Sequence, residues 1–179
     1  HARNRGAILY YDVNFRASHE HEKIKLMSNI MENMEYADIV RGSSEDFAIL
    51  YNKTDAEAIY KSQISFYTKK FIYTSGSAPV ILKADGGFSK QYAVESASTV
   101  STIGAGDNFN AGVIFGLLKH GITREHIDNG LTEEQWDGII DCAMRFSANV
   151  CKSINNYVDN EFANAMQREM SDFIEENNK

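Results

Sequence analysis

Asp107 stands directly after Gly104-Ala105-Gly106 and just before a run of apolar and small residues, Phe109 to Leu118. A glycine turn that opens a helix presents backbone N–H groups at the positive end of the helix dipole, where phosphate or another anion can be held. A carboxylate placed there has two readings: it caps the helix, or it serves as a general base beside the bound anion. The spacing excludes two common nucleotide motifs. A dinucleotide fingerprint needs a third glycine where Phe109 stands, and a P-loop needs a lysine that the stretch from Thr102 to Leu118 lacks.

Three further groupings carry polar residues at spacings that chemistry could use. Asp12, Asn14 and Arg16 alternate with Val13 and Phe15 after an apolar run, so they fall on one side of the carboxyl end of a strand, where open α/β sheets bind ligands. A loop stabilised by an Asp–Arg pair is the other reading of that segment. Ser43 and Asp46 open a helix, where an early acid is either a cap and dipole partner or a functional group. Thr74-Ser75-Gly76 is a turn at a strand end and a candidate phosphate contact.

The elements that must position these residues follow from periodicity. Ala7–Val13, a nearly continuous apolar run, predicts a central parallel strand covered on both faces. Ile24, Met27, Ile30, Met31 and Met34 recur at helical steps and predict an amphipathic helix over Glu20–Tyr36, with the methionines as core filler. Residues 37–40 predict a second strand, Asp55–Tyr67 a helix and Lys69–Thr74 a third strand. Pro79–Lys83, a turn at Asp85-Gly86-Gly87 and Phe88–Val94 predict an edge hairpin, where proline is tolerated. Thr132 to Gln135 is a capping box opening a helix to about Lys152 that buries Trp136, and Glu161–Glu176 is a final amphipathic helix. Strands interleaved with helices predict an open, mostly parallel α/β sheet. The opening residues, from His1 to Gly6, lack methionine and read as the polar end of a helix with its terminating glycine, as though cut from a larger protein.

Ser101–Asp107 resembles the C-terminal signature of the ribokinase-like (PfkB) family of carbohydrate kinases, Asp-Thr-x-Gly-Ala-Gly-Asp. It matches at Thr102, Gly104, Ala105, Gly106 and Asp107, and Ser101 replaces the first aspartate. The resemblance implies a ribokinase-like three-layer fold, with residues 1–179 as the C-terminal nucleotide-binding portion of a single kinase domain. It implies Asp107 as general base, with Gly104, Ala105 and Gly106 as the anion hole. Asp12, Asn14 and Arg16 match an Asp-x-Asn-x-Arg segment that fructokinase-like and ketodeoxygluconate kinase-like members carry near the sugar and the transferred phosphate. Ser43 and Asp46 stand at the ends of the family's Asn-x-x-Glu motif, which shapes the magnesium and phosphate environment. Thr74 and Gly76 match Thr-x-Gly-x-x-Gly, broken at Pro79. Thr102 belongs to the nucleotide turn, and Asn149, Ser153 and Asn155 stand where the family approaches adenine.

The implied activity is transfer of the ATP γ-phosphate to a sugar hydroxyl with Mg2+, fructose being the first expectation. Potassium is a further expected ion, although several relatives build its site around the aspartate that Ser101 replaces. The family's N-terminal strands, Gly-Gly sugar motif and β lid have no counterpart here, so the isolated chain is expected to be inactive. Two other readings stay open: a non-catalytic nucleotide-binding module of this fold, and an oxidoreductase lacking its glycine fingerprint.

Composition bounds the partners. A formal charge of -7 argues against nucleic acid and anionic membranes, which favour clustered lysine and arginine. No apolar run is long enough to span a bilayer. Cys142 and Cys151, nine positions apart on one expected helix, are too distant for a disulfide and fit reduced thiols of a cytoplasmic protein. His19 and His21 read as surface residues rather than metal ligands. The expected partners are a small-molecule sugar and a second copy in a homodimer.

Overall fold

The computed structural model describes residues 2–95 and 99–177, in two compact units. The first runs to Val94 and takes in Ile127–Gly130; the second holds Glu95–His126 and the chain from Leu131 onward. His1, part of the expected helix end, lies outside the described residues, whereas Gly6 closes a short turn in the left-handed conformation, as that reading requires.

The first unit carries a five-stranded sheet in the order β1 (Tyr10–Asp12), β2 (Ile39–Ser43), β3 (Lys70–Thr74), β4 (Val80–Lys83) and β5 (Ser89–Tyr92). The first three strands are parallel, and β4 and β5 join antiparallel. The α/β expectation holds, but the sheet is mixed. Only the turn at residues 75–79 separates β3 from β4, too little chain for the crossover that parallel pairing demands. Helix α1 (Lys23–Tyr36) connects β1 to β2, while α2 (Ser44–Tyr51), α3 (Ala56–Ile59) and a π-helical turn at Tyr60–Ile64 connect β2 to β3. Ile30 and Met34 of α1, Phe47 and Leu50 of α2, and Ala56 and Ile59 of α3 form one core with Val40, Phe71 and Tyr73 of the sheet. Ile39 and Ile72, pointing the other way, are fully buried as well, so β2 and β3 are the strands covered on both faces, whereas β1, expected from the run Ala7–Val13 to be central and so covered, lies at the edge of this sheet with its residues half-buried. Asp38 sets the start of this sheet: its carboxylate accepts the Leu9 amide at 2.8 Å, and its own amide donates to the Leu9 carbonyl.

The second unit is helical: α4 (Ala105–Lys119), α6 (Glu133–Val150) and α7 (Asn160–Asn177), with part of α5 (Arg124–Asn129). Helices α4 and α6 approach closely through Gly112 and Gly116. A Cβ at Gly112 would lie 2.5 Å from Ala143 Cα, and one at Gly116 2.8 Å from Ile139 Cα. The capping box at Thr132 and Gln135 is present in both directions, and Trp136 is buried as expected. Neither Cys142 nor Cys151 is in a disulfide. Among the described residues, no helix is long and apolar enough to cross a membrane.

Candidate active site

In the first unit, parallel register brings polar side chains from three strands to one face. Asp12 lies beside Arg41, and Arg41 lies beside Ile72, two residues before Thr74. Lateral neighbours and residues two apart share a face, so Asp12, Arg41 and Thr74 converge at the carboxyl ends of β1, β2 and β3. Arg41 Nη1 donates to both oxygens of Asp12, at 3.1 and 3.2 Å, and Nη2 donates to Thr74 Oγ1 at 2.7 Å. The arginine that pairs with Asp12 is therefore Arg41.

The alternation expected after β1 is present. Val13 and Phe15 are buried, whereas Asn14 and Arg16 face solvent. Asn14 takes a left-handed backbone at φ 42°, a conformation asparagine tolerates better than most residues. Gly76 is also left-handed, at φ 52°, in a turn closed by the Ala78 amide on the Ser75 carbonyl. Asp46 is buried, and its Oδ2 accepts from the Ser43 amide at 2.6 Å and the Ser43 hydroxyl at 2.7 Å, while the Ser43 hydroxyl accepts in turn from the Asp46 amide. That reciprocal capping box starts α2. Gly42 just before it has a local reason: a Cβ there would lie 2.5 Å from the tip of the buried Phe47 ring.

In the second unit, the glycine turn and the loop after α6 are built against each other. Val100 and Ser101 donate to the Cys151 carbonyl, and Ser101 Oγ accepts from the Ile103 amide at 3.2 Å. The Ala105 amide closes the turn onto the Thr102 carbonyl at 3.1 Å. Gly104 is the N-cap of α4 at φ 80°, and no side chain caps that end. A Cβ at Gly104 would sit 2.9 Å from the Asn156 carbonyl, so glycine is demanded by conformation and by space. Asp107 is exposed in the first turn, three residues past the cap, so it does not fill the N-cap position that was one of its two readings.

Two residues overlooked in the sequence organise these groups. Asn108 Nδ2 donates to the Gly104 and Asn156 carbonyls, both at 2.9 Å, and so clamps the loop to the turn. Arg41 does the corresponding work in the sheet. An arginine inside the apolar run Ile39-Val40-Arg41 is the signal that could have revealed it, since a charge on a covered strand needs a partner. Ser153 Oγ accepts from the Asn155 amide at 3.0 Å within the loop after α6. Asn149 directs its side chain to Asp159, donating to the carboxylate at 2.8 Å and accepting from the amide at 3.1 Å. The Phe162 amide, donating to Asp159, then Asn149, hold that acid below the usual carboxylate range.

The geometry offers an open helix N-terminus with a carboxylate in its first turn, and a second polar cluster at the ends of parallel strands. Comparison with known proteins gives this arrangement a context. Residues 1–155 match the model of the pfkB family carbohydrate kinases. Fructokinase from Escherichia coli is 25% identical over 146 residues, which are 82% of this chain and 45% of that protein. Aminoimidazole riboside kinase from Salmonella enterica, complexed with aminoimidazole riboside and an ATP analogue, superposes with a TM-score of 0.73 at 18% identity, over 97% of this chain and 54% of that one. Fructokinase from Xylella fastidiosa with bound ATP superposes with a TM-score of 0.72 at 20% identity, over 99% and 55%. The chain thus spans about half the length of the relatives it matches. With nearly all of its length before α7 accounted for by one family model, the chain belongs to the pfkB family of carbohydrate kinases.

Proposed function

We propose that this chain is the nucleotide-binding and base-carrying portion of an ATP-dependent sugar kinase. The observation that carries the reading is the start of α4, a left-handed glycine N-cap without a side-chain cap, followed by an exposed aspartate in the first turn. In such a turn the early amides have no intrahelical partner and point outward with the dipole behind them. Asp107 takes the proton of the sugar hydroxyl as that oxygen attacks the γ-phosphorus and ADP departs. The turn from Gly104 to Gly106 holds the charge of the transferring group, with the Ala105 amide keeping its shape. Thr102, Thr74 and Gly76 are assigned to the nucleotide, Ser153 and Asn149 to the adenine side, and Asp12, Asn14 and Arg16 to the sugar.

No cluster of three metal-binding side chains occurs among the described residues. Magnesium keeps several waters and is commonly held by one or two carboxylates together with substrate phosphates. Asp46 is the residue proposed to stand near it, its Oδ2 being already committed to the Ser43 cap, and the ion would supply charge neutralisation on the phosphates. Fructose is the first choice of substrate, followed by ketodeoxygluconate, ribose and nucleosides; the fructokinase relatives support the first of these, and the likeness to aminoimidazole riboside kinase keeps nucleosides in the panel. The two free thiols fit a cytoplasmic setting.

The test is ATP consumption by the intact protein with magnesium against a panel of sugars. Turnover on one of them, lowered by about 10² to 10⁴ in Asp107→Asn with ATP affinity retained, is the expected result. Unchanged turnover in that variant removes Asp107 from the base role. Nucleotide binding with no turnover on any sugar favours the non-catalytic module instead, a reading that the departures at Ser43, Pro79 and Ser101 would then explain.

A further inference from the structure

We propose that Arg41 is the positioning residue of the strand-end cluster, fixing Asp12 with one arm and Thr74 with the other. The inference rests on the kinase reading, which gives Asp12 to the sugar and Thr74 to the nucleotide. Through Arg41, those two sides of the reaction share one rigid group.

Burial is the first argument. The Arg41 side chain is 9% exposed and that of Asp12 15%. Desolvating a charge pair costs about as much as the pair returns, so apolar residues of similar volume would serve stability equally well. The charges are therefore better explained by what they orient. Geometry is the second argument. Nη1 is shared between the two Asp12 oxygens, while Nη2 meets Thr74 Oγ1 on β3, so a planar guanidinium on β2 reaches both neighbouring strands at once.

The third argument is the direction of the bond to Thr74. Because Thr74 Oγ1 accepts from Arg41, its own proton is left to donate elsewhere. Arg41 thus presents the Thr74 hydroxyl as a donor, which suits an anionic oxygen at the strand end. Asp12, held through both oxygens, is kept as an acceptor for hydroxyl groups. Lysine could not do both tasks, since an ammonium is a point charge on a flexible stem without the fork.

The experiment is a double-mutant cycle in the intact protein, reading KM for ATP and for sugar separately. Thr74→Val is expected to raise the ATP KM about tenfold, the worth of one good hydrogen bond, with the sugar KM unchanged. Arg41→Lys is expected to do the same, because the ammonium keeps Asp12 and gives up Thr74. The two changes together should add nothing beyond either alone. Summed effects, or an Arg41→Lys protein with both KM values at the wild-type level, overturn the proposal.

Thr74→Ser guards against loss of folding in Arg41→Lys. It keeps the hydroxyl and should restore the ATP KM, and failure to restore it makes the Thr74 effect one of packing and overturns the proposal. ATP dissociation constants measured by calorimetry carry the same cycle without turnover. If wild-type protein binds ATP but phosphorylates no sugar, the kinase reading falls and the cycle still decides the Arg41–Thr74 link. If wild-type protein binds no ATP, both fall together.

Discussion

Arg41 in the first unit and Arg145 in the second each hold a carboxylate with a guanidinium, Arg41 through Nη1 alone and Arg145 through both arms, in contrasting surroundings. Arg41 holds Asp12 at 9% and 15% side-chain exposure, whereas Arg145 holds Glu169 at 36% and 37%. Arg145 meets the two Glu169 oxygens at 2.9 and 2.5 Å, and Lys119 adds a third contact at 3.0 Å, tying α4, α6 and α7 together. The Arg145 cluster links helices by charge in reach of water, where such pairs stabilise modestly. The Arg41 cluster orders side chains at strand ends, where removing one partner strands the other in a poorly solvated place. One chemical pair can therefore act as a helix staple or as part of a site, and burial separates the two.

Breaking the pairs one at a time in the intact protein tests that contrast, and the largest effect belongs to Arg41. Arg41→Met leaves the Asp12 carboxylate without its guanidinium and should cost about 3–5 kcal/mol by urea unfolding. Adding Asp12→Leu should recover most of that loss, as expected when the penalty is the abandoned charge. A loss under about 1 kcal/mol in the single variant would make the two clusters energetically alike.

Glu169→Gln should cost about 1 kcal/mol, near the upper end for exposed pairs because the contact is forked and networked. It should also change the acid limb. The Arg145 contact, then that of Lys119, lowers the Glu169 carboxyl from its ordinary 4.5 to about 2. A carboxyl lowered in the folded state stabilises above its unfolded value and loses that contribution as pH falls through its folded value. The stability difference between wild type and Glu169→Gln should therefore be full above about pH 4.5 and vanish toward pH 2. The smallest effect is that of salt. At 1 M, where the screening length is about 3 Å, the Glu169→Gln difference should shrink while the Arg41→Met difference persists.

Much of this was legible in the sequence because it is local. Ser43 with Asp46 and Thr132 with Gln135 specify their own caps, and the alternation of Asp12, Asn14 and Arg16 with Val13 and Phe15 survives beyond the end of β1. The glycine turn before Asp107 was readable for the same reason. Arg41 was hidden because its importance lies in register: Asp12 and Thr74 are 29 and 33 positions away. Asn108 was hidden likewise, since half of its role is a carbonyl 48 positions away in the loop after α6. The antiparallel joining of β4 was within reach, because Lys69–Thr74 and Pro79–Lys83 match β3 and β4 to within a residue and the short turn between them already rules out a parallel crossover.

Gly112 and Gly116 have a consequence for how this chain can vary. Each presses backbone against backbone at distances no side chain can share, since the obstructing atoms are the Cα atoms of Ala143 and Ile139 rather than movable tips. In a saturation library of the intact protein scored for folding, both positions should be nearly empty of substitutions. Ile114 and Leu118, on the same helix at 50% and 65% exposure, are unconstrained by the packing of this chain and should accept a wide range of side chains. Over long divergence α4 would then keep a fixed seam and an unfixed back, and its glycines would outlast most of the residues around them.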